Sequence, residues 1–292
     1  MERTFTIDGR PRSVSVAEPV PELERSGVAV SVLHGSQQTG VKVRAASGRS
    51  FEQKAGDGWP VVAYPDAYRG LWNDARTAMR SPARAEGIDD VAFLTSVSER
   101  LRSDGAERVI AVGYSNGGHM ALRLAHEAPD ALDGLVLIGV GHPTADNFTA
   151  VDRYSPLPVI TIHGTKDPLA PYEGGVTSLF GFRPRGKGLS APDTAAYYAR
   201  RNGITGQPLT RRLPSRANSA RTWVDVTSYQ QENRPPVTLY TVHGGGHVIP
   251  NPTRRGWRIL GRTTRDIDAG ALVARMATLL GGNASGPRPP FP

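Results

Sequence analysis

The chain has 292 residues, of which 38% are hydrophobic and 21% charged, and its mean hydropathy is -0.35. This composition excludes a disordered chain and favours a soluble globular protein, and the length suits one large α/β domain. The chain has no cysteine, which excludes disulfide bonds, thiolate metal sites and a cysteine nucleophile.

Hydropathy and charge also restrict the partners of the protein. No apolar stretch approaches the roughly 18 to 20 residues of a membrane span, and the start lacks a basic segment followed by an apolar run. We therefore predict no membrane partner and no signal peptide, and favour a cytoplasmic location, or secretion if a leader has been removed. The formal net charge is +8. Its arginines are scattered along the chain, which favours a solvated basic surface over a nucleic-acid site.

The chain begins with a predicted hairpin and continues with alternating strands and helices. Apolar and polar residues alternate on both sides of Asp8-Gly9, which predicts two antiparallel strands joined by a tight turn. Short apolar runs typical of buried parallel strands follow at residues 28–33, 61–64, 108–113, 135–140, 159–162 and 237–242. Helical periodicity is found at residues 89–103, 117–128, 194–202 and 266–280.

This order predicts an α/β fold with a mostly parallel central sheet, helices on both faces and an N-terminal antiparallel hairpin. We assign residues 1–280 to a single domain. The Gly- and Pro-rich residues 281–292 are predicted to be a disordered tail. Only about 18 residues separate the strand ending near Val140 from the strand beginning at Val159. The sequence therefore predicts an open site without a large cap domain.

A G-x-S-x-G pattern lies between a predicted strand and a predicted helix, at residues 113–117. The flanking glycines permit a turn so tight that the serine is held in a strained conformation, with its hydroxyl clear of the sheet. The alternative is a glycine-rich turn with an incidental serine. We predict that Ser115 is a nucleophile and that the amide of Asn116, at the start of a helix, donates to an oxyanion.

A serine nucleophile needs a histidine base, which in turn needs a carboxylate to orient it. In α/β-hydrolases the acid and then the histidine follow later strands. Asp167 lies on the loop after the run at 159–162 and is favoured as the acid over Asp146, Asp152 and Asp225. His247 ends a glycine-rich loop after the last run. It is favoured as the base over His243, which lies at the strand end.

The loop after the first parallel strand, residues 33–38, should supply the second oxyanion donor. We predict that this donor is the backbone N–H of Ser36, and that His34 shapes the loop. No histidines and carboxylates are spaced as metal ligands, so neither a metal nor a cofactor is predicted.

These segments together resemble the polyhydroxybutyrate depolymerase and feruloyl esterase group of α/β-hydrolases. The resemblance covers roughly residues 1 to 280 and rests on the ordered motifs LHGSQQTG, VVAYPDAYRGLWNDAR, GIDDVAFLTSV, GYSNGGHMALRLAHEAPD, HGTKDPLAPYEGG and GGGH. It implies the α/β-hydrolase fold, with Ser115 as nucleophile, Asp167 as acid and His247 as base. It also implies an esterase acting on small or oligomeric hydroxyacyl or aromatic acyl esters.

Other functions fit the same residues. A serine peptidase or a thioesterase uses the same three groups, and a non-catalytic binding protein could keep the fold.

Overall fold

The computed structural model describes residues 1–20, 23–54, 58–216, 219, 221–254, 256 and 258–281. Its centre is a ten-stranded sheet in the order β1-β2-β4-β3-β5-β6-β7-β12-β11-β10. The strands of this sheet are β1 (Glu2–Ile7), β2 (Arg10–Ala17), β3 (Arg25–Leu33), β4 (Trp59–Pro65), β5 (Arg108–Tyr114), β6 (Gly134–Ile138), β7 (Val159–Gly164), β10 (Leu209–Arg212), β11 (Trp223–Tyr229) and β12 (Val237–His243). A separate two-stranded sheet is formed by β8 (Gly175–Val176) and β9 (Lys187–Gly188).

The six central strands, β4, β3, β5, β6, β7 and β12, are parallel. They coincide with the six apolar runs, and each prediction of a buried parallel strand is confirmed. Side chains along β5 alternate between two cores, since Val109 and Ala111 face one layer while Ile110 and Val112 face the other. Burial on both faces is why apolar residues predominate along these strands, with few polar positions such as Ser31 and Thr161.

Helices cover both faces of the sheet. They are α1 (Gly40–Ala46), α2 (Pro82–Ala85), α3 (Asp90–Ser103), α4 (Asn116–Glu127), α5 (Ala191–Arg201) and α6 (Ala269–Gly281). The side chains of α3, α4 and α5 pack into one core, and those of α1 and α6 pack into the other. The four predicted helices correspond to α3, α4, α5 and α6, so the predicted layers are confirmed. No helix in the described part of the chain is long and apolar enough to cross a membrane.

The N-terminal hairpin turns at Asp8 and Gly9, which have φ of 49° and 72°. Positive φ at both positions is the geometry of a two-residue hairpin turn. Strand β2 then pairs antiparallel with β4, which joins the hairpin to the edge of the parallel region. Apart from Gly281, which ends α6, the predicted tail lies outside the described residues.

The chain has no large cap after β6. Residues 139–158 contain one helical turn, the 3-10 segment Ala145–Asn147, in agreement with the prediction. The excursion that sequence analysis missed comes one strand later, where β8 and β9 form a small hairpin between β7 and α5. The carboxyl ends of the parallel strands meet at one edge of the sheet, and the loops at that edge hold the predicted site residues.

Candidate active site

Ser115 is the residue between β5 and α4, and its backbone has a strained conformation. Its φ is 56° and its ψ is -119°, a conformation that L-residues adopt only when the surrounding structure holds them there. The Ser115 N–H donates to the carbonyl oxygen of Ile138 at 3.0 Å, which ties the turn to the neighbouring strand β6. The turn has the geometry of a nucleophile elbow.

The elbow is packed against the loop after β3. A Cβ atom at Gly117 would lie 2.2 Å from the carbonyl oxygen of Leu33, so only glycine fits at this position. A Cβ atom at Gly35 would lie 3.4 Å from the Cβ atom of Ser115. The loop that was predicted to supply an oxyanion donor is therefore in contact with the predicted nucleophile.

Asp167 and His247 meet although they are 80 positions apart in the chain. The Asp167 Oδ2 and His247 Nδ1 atoms are 2.7 Å apart, and both side chains are buried. Asp167 Oδ1 accepts hydrogen bonds from the amides of Leu169 and Ala170, each at 2.8 Å. Burial raises the pKa of Asp167, but the opposing effect of His247 and these hydrogen bonds brings it below its ordinary value. Asp167 is thus ionised and fixed toward His247 Nδ1.

The imidazole of His247 is held between β5 and β6. The Tyr114 hydroxyl donates to the His247 carbonyl oxygen at 2.7 Å, and the two rings are 5.2 Å apart. A Cβ atom at Gly139, which has φ of 64°, would lie 2.9 Å from the ring of His247. His247 Nε2 is buried and has no hydrogen-bond partner among the described residues. One nitrogen is therefore committed to Asp167 while the other is free to accept a proton.

The rival residues lie elsewhere. His243 Nε2 is 2.8 Å from Asp225 Oδ2, and the His243 ring stacks on the exposed Trp223. Asp152 forms an ion pair with Arg201 at 2.7 Å, and Asp146 is exposed in the turn after β6. The structure brings Asp167 to His247 and pairs His243 with Asp225.

The two predicted oxyanion donors are both free to bind a ligand. Neither the Ser36 N–H nor the Asn116 N–H donates to any group within the described ranges. The loop that carries Ser36 is shaped by His34, whose Nδ1 lies 2.8 Å from the Gly35 carbonyl oxygen and whose Nε2 accepts from the Ala67 N–H at 3.0 Å. Burial lowers the pKa of His34, so the ring is neutral, as this pattern of one donor and one acceptor requires.

A buried carboxylate, Asp74, contacts the residue that follows Ser115 and was missed by sequence analysis. Asp74 pairs with Arg76 at 2.5 Å and accepts a hydrogen bond from Asn116 Nδ2 at 2.6 Å. Asn116 Oδ1 accepts from the Trp72 N–H at 3.0 Å, and Trp72 Nε1 donates to the His34 carbonyl oxygen at 3.0 Å. These contacts join the elbow to the Ser36 loop. The segment WNDAR was noted in the sequence, but nothing there indicates that Asp74 is buried.

Replacing Asp74 with asparagine should destabilise the fold by about 3–5 kcal/mol at pH 7, because the buried Arg76 would lose its counter-charge. Burial raises the pKa of Asp74, but Arg76 brings it below its ordinary value. A lowered folded-state pKa means that the ionised carboxylate stabilises the fold above about pH 4, and that this contribution is lost as pH falls through the folded value.

The difference in unfolding free energy between wild type and Asp74→Asn should therefore shrink below about pH 4 in urea titrations. The exposed Asp130 provides the control, since Asp130→Asn should change stability by less than about 0.5 kcal/mol. An equal loss in both variants would contradict the role given to Asp74.

No group of three or more histidine and carboxylate side chains among the described residues is arranged to hold a metal ion. The groups gathered at this edge of the sheet are instead the strained Ser115, the hydrogen-bonded pair of Asp167 and His247, and the backbone amides of Ser36 and Asn116. This arrangement is suited to acyl transfer through a covalent intermediate.

Comparison with known proteins finds similarity to a carboxylesterase family and to esterases. A family model described as phospholipase/carboxylesterase matches residues 97–179, a stretch that includes Ser115 and Asp167. The chain is 28% identical over 263 residues to "Putative esterase NocK" of Nocardia uniformis subsp. tsuyamanensis, covering 86% of this chain and 74% of that protein. It is 25% identical over 221 residues to feruloyl esterase B of Piromyces equi, covering 72% of this chain and 38% of that protein.

Among solved structures, the chain is similar to an acetyl xylan esterase from Aspergillus awamori. The TM-score is 0.54 at 16% sequence identity, over 86% of this chain and 95% of that chain. At this identity the likeness shows the fold alone. The chain therefore has the α/β-hydrolase fold, and its similarity to a carboxylesterase family and to esterases supports ester hydrolysis as its class of reaction.

Proposed function

We propose that the protein is a serine esterase that cleaves carboxylic esters through an acyl-enzyme intermediate. The observation that carries this proposal is the arrangement of His247. Its Nδ1 is bound to the ionised Asp167 while its Nε2 has no partner among the described residues. Together with the strained turn at Ser115, this is the arrangement required to activate a serine hydroxyl.

In the proposed reaction, His247 Nε2 accepts the proton of Ser115 Oγ while Oγ attacks the ester carbonyl carbon. The negative charge that develops on the carbonyl oxygen is stabilised by the amides of Ser36 and Asn116, each worth about 3 kcal/mol in such sites. The protonated His247 then donates its proton to the leaving alcohol oxygen. A water molecule, deprotonated by the same nitrogen, attacks the acyl carbon, and His247 then returns that proton to Ser115 Oγ as the bond to the acyl carbon breaks and the acid leaves.

The substrate class is part of the proposal. Small or oligomeric hydroxyacyl or aromatic acyl esters are favoured by the motif resemblance, and the similarity to a feruloyl esterase supports the aromatic acyl class.

Labelling with a fluorophosphonate tests the nucleophile directly. We expect a stoichiometric adduct on Ser115, located by peptide mass spectrometry, with loss of p-nitrophenyl butyrate hydrolysis in proportion to labelling. Heat-denatured protein is the control, because an unfolded serine is not activated. An adduct on another serine would transfer the role away from Ser115, and a folded protein that neither labels nor hydrolyses esters would refute the proposal.

A further inference from the structure

The hairpin formed by β8 and β9 carries an arginine toward the candidate active site. The base of the hairpin is rigidly held: the Arg185 N–H donates to the Thr177 carbonyl oxygen at 2.8 Å, and the Thr177 N–H donates to the Gly186 carbonyl oxygen at 3.0 Å. The buried Asn147 donates from Nδ2 to the Arg185 carbonyl oxygen at 3.3 Å. The backbone of Arg185 is therefore fixed from two sides.

The side chain of Arg185 reaches the loop that carries the predicted oxyanion donor. Arg185 Nη1 donates to Ser36 Oγ at 3.1 Å, across 149 positions of sequence. The side chain is half-buried, and within the described ranges it forms no ion pair with a carboxylate. Burying a guanidinium group costs free energy unless it is paired. The hydrogen bond to Ser36 uses one of the five N–H donors of the guanidinium group.

The surroundings of Arg185 hold more positive than negative charge. Asp74 is the nearby carboxylate, and it is already paired with Arg76 at 2.5 Å. Arg84 donates to the main-chain carbonyl oxygen of Asp74 and not to its carboxylate. Burial and the repulsion from Arg76 lower the pKa of Arg185, and the attraction of Asp74 only partly offsets them. The carboxylate of Asp74 is thus the counter-charge for a group of three guanidinium groups, of which it pairs with only one. This excess of positive charge favours an anionic ligand.

A second side chain is left without a partner in the same region. His119 lies one turn after Ser115 on α4, is buried, and has an Nδ1 atom with no hydrogen-bond partner among the described residues. Burial lowers the pKa of His119 well below its ordinary value, and the charges of Arg76 and Arg185 add to this effect. The ring is therefore neutral, and it could accept or donate a hydrogen bond to a bound molecule.

We propose that Arg185 is a specificity-determining residue that binds a carboxylate of the substrate, so that the preferred substrates are esters carrying a second, free acid group. The proposal rests on the proposed esterase function and names the substrate class of that site. A guanidinium group binds a carboxylate through two parallel charge-assisted hydrogen bonds, which orients the ester as well as holding it. The bound carboxylate would supply the counter-charge that Arg185 lacks.

Two matched pairs of esters test this preference and distinguish the two places where the acid group could lie. The acyl-side pair is mono-p-nitrophenyl glutarate and p-nitrophenyl hexanoate. The alcohol-side pair is 3-acetoxybenzoate and 3-acetoxybenzamide. In one pair, Arg185→Gln should lower the ratio of kcat/KM for the charged over the neutral ester by about 10-fold or more, which is the usual effect of losing hydrogen bonds to a charged group.

The control variant is Arg183→Gln, which removes an exposed arginine from the same hairpin and should leave both ratios unchanged. Ratios that are unaffected by Arg185→Gln in both pairs would overturn the proposal. This includes the case in which Arg185→Gln lowers kcat/KM equally for charged and neutral esters, because Arg185 would then only position the Ser36 loop.

Calorimetric titration separates this proposal from the proposed chemistry. Ser115→Ala should bind whichever charged ester is preferred, and Ser115→Ala/Arg185→Gln should bind it about 10-fold more weakly or worse. Binding through Arg185 in a protein that hydrolyses no ester would refute the esterase and keep the anion site. If the wild type hydrolysed neutral esters but Ser115→Ala and Ser115→Ala/Arg185→Gln bound the charged ester equally well, the esterase proposal would stand and the anion site would be refuted.

Discussion

Replacing Ser115 with alanine should abolish ester hydrolysis, with a loss in kcat on the order of 10⁶-fold. In the proposed reaction the Ser115 hydroxyl forms the bond to the acyl group, so its removal leaves His247 without its proton donor. Among the described residues, the Ser115 side chain forms no hydrogen bond that caps α4, and the turn is held through the Ser115 backbone. The variant should therefore remain folded.

The measurement is the rate of p-nitrophenyl butyrate hydrolysis, in which the spontaneous rate in buffer sets the floor. Ser115→Ala should be indistinguishable from that floor. Ser96→Ala is the matched control, because Ser96 is a half-buried serine on α3, distant in sequence from the site. It should keep the wild-type rate. Substantial turnover by a correctly folded Ser115→Ala protein would mean that another group attacks the ester.

Replacing Asp167 with asparagine should lower kcat by about 10⁴-fold while preserving the fold. Asp167 Oδ1 accepts from two backbone amides, so an asparagine would place its carbonyl oxygen there and turn its NH₂ group toward His247. His247 Nδ1 would then have to accept a hydrogen bond. The ring proton would move to Nε2, and the base would face Ser115 in the wrong tautomer.

Steady-state kinetics on the same ester test this prediction, with thermal unfolding to verify the fold. The matched control is Asp225→Asn, which affects a partly buried pairing of a carboxylate with a different histidine, His243. The loss in Asp225→Asn should be less than about 10-fold. If the two variants lost activity to the same degree, Asp167 would have no special role in orienting the base.

The fold was largely predictable because burial leaves a local signature. The six parallel strands are nearly continuous apolar runs, since both of their faces are covered by helices. The edge strand β10 was missed because its sequence, LTRR, is mostly exposed and has no apolar alternation. In β11 a signal was present: Val224 and Val226 are buried between less buried neighbours, which is the alternation of a half-covered strand. Helix α1 has seven residues, too few for a clear period.

The candidate site was predictable where its parts are local. The elbow at Ser115 is one short motif, and the acid and base follow strands that could be recognised. The supporting contacts are not local. Asp74 meets Asn116 across 42 positions, and Arg185 meets Ser36 across 149. A polar residue in a loop has the same local pattern whether it is exposed or buried against a distant partner, so these contacts required the structure.

The chain leaves the sheet for the β8–β9 hairpin and returns to nearly the same point. The Ala191 N–H at the start of α5 donates to the Tyr172 carbonyl oxygen at 2.8 Å, which closes the excursion at its base. The intervening residues can therefore change in length or sequence without shifting β7, α5 or Asp167. Under the proposed function, selectivity can diverge in this segment during evolution while Ser115, Asp167 and His247 stay in place. Exchanging the segment between related proteins would then offer a route to engineering new ester preferences.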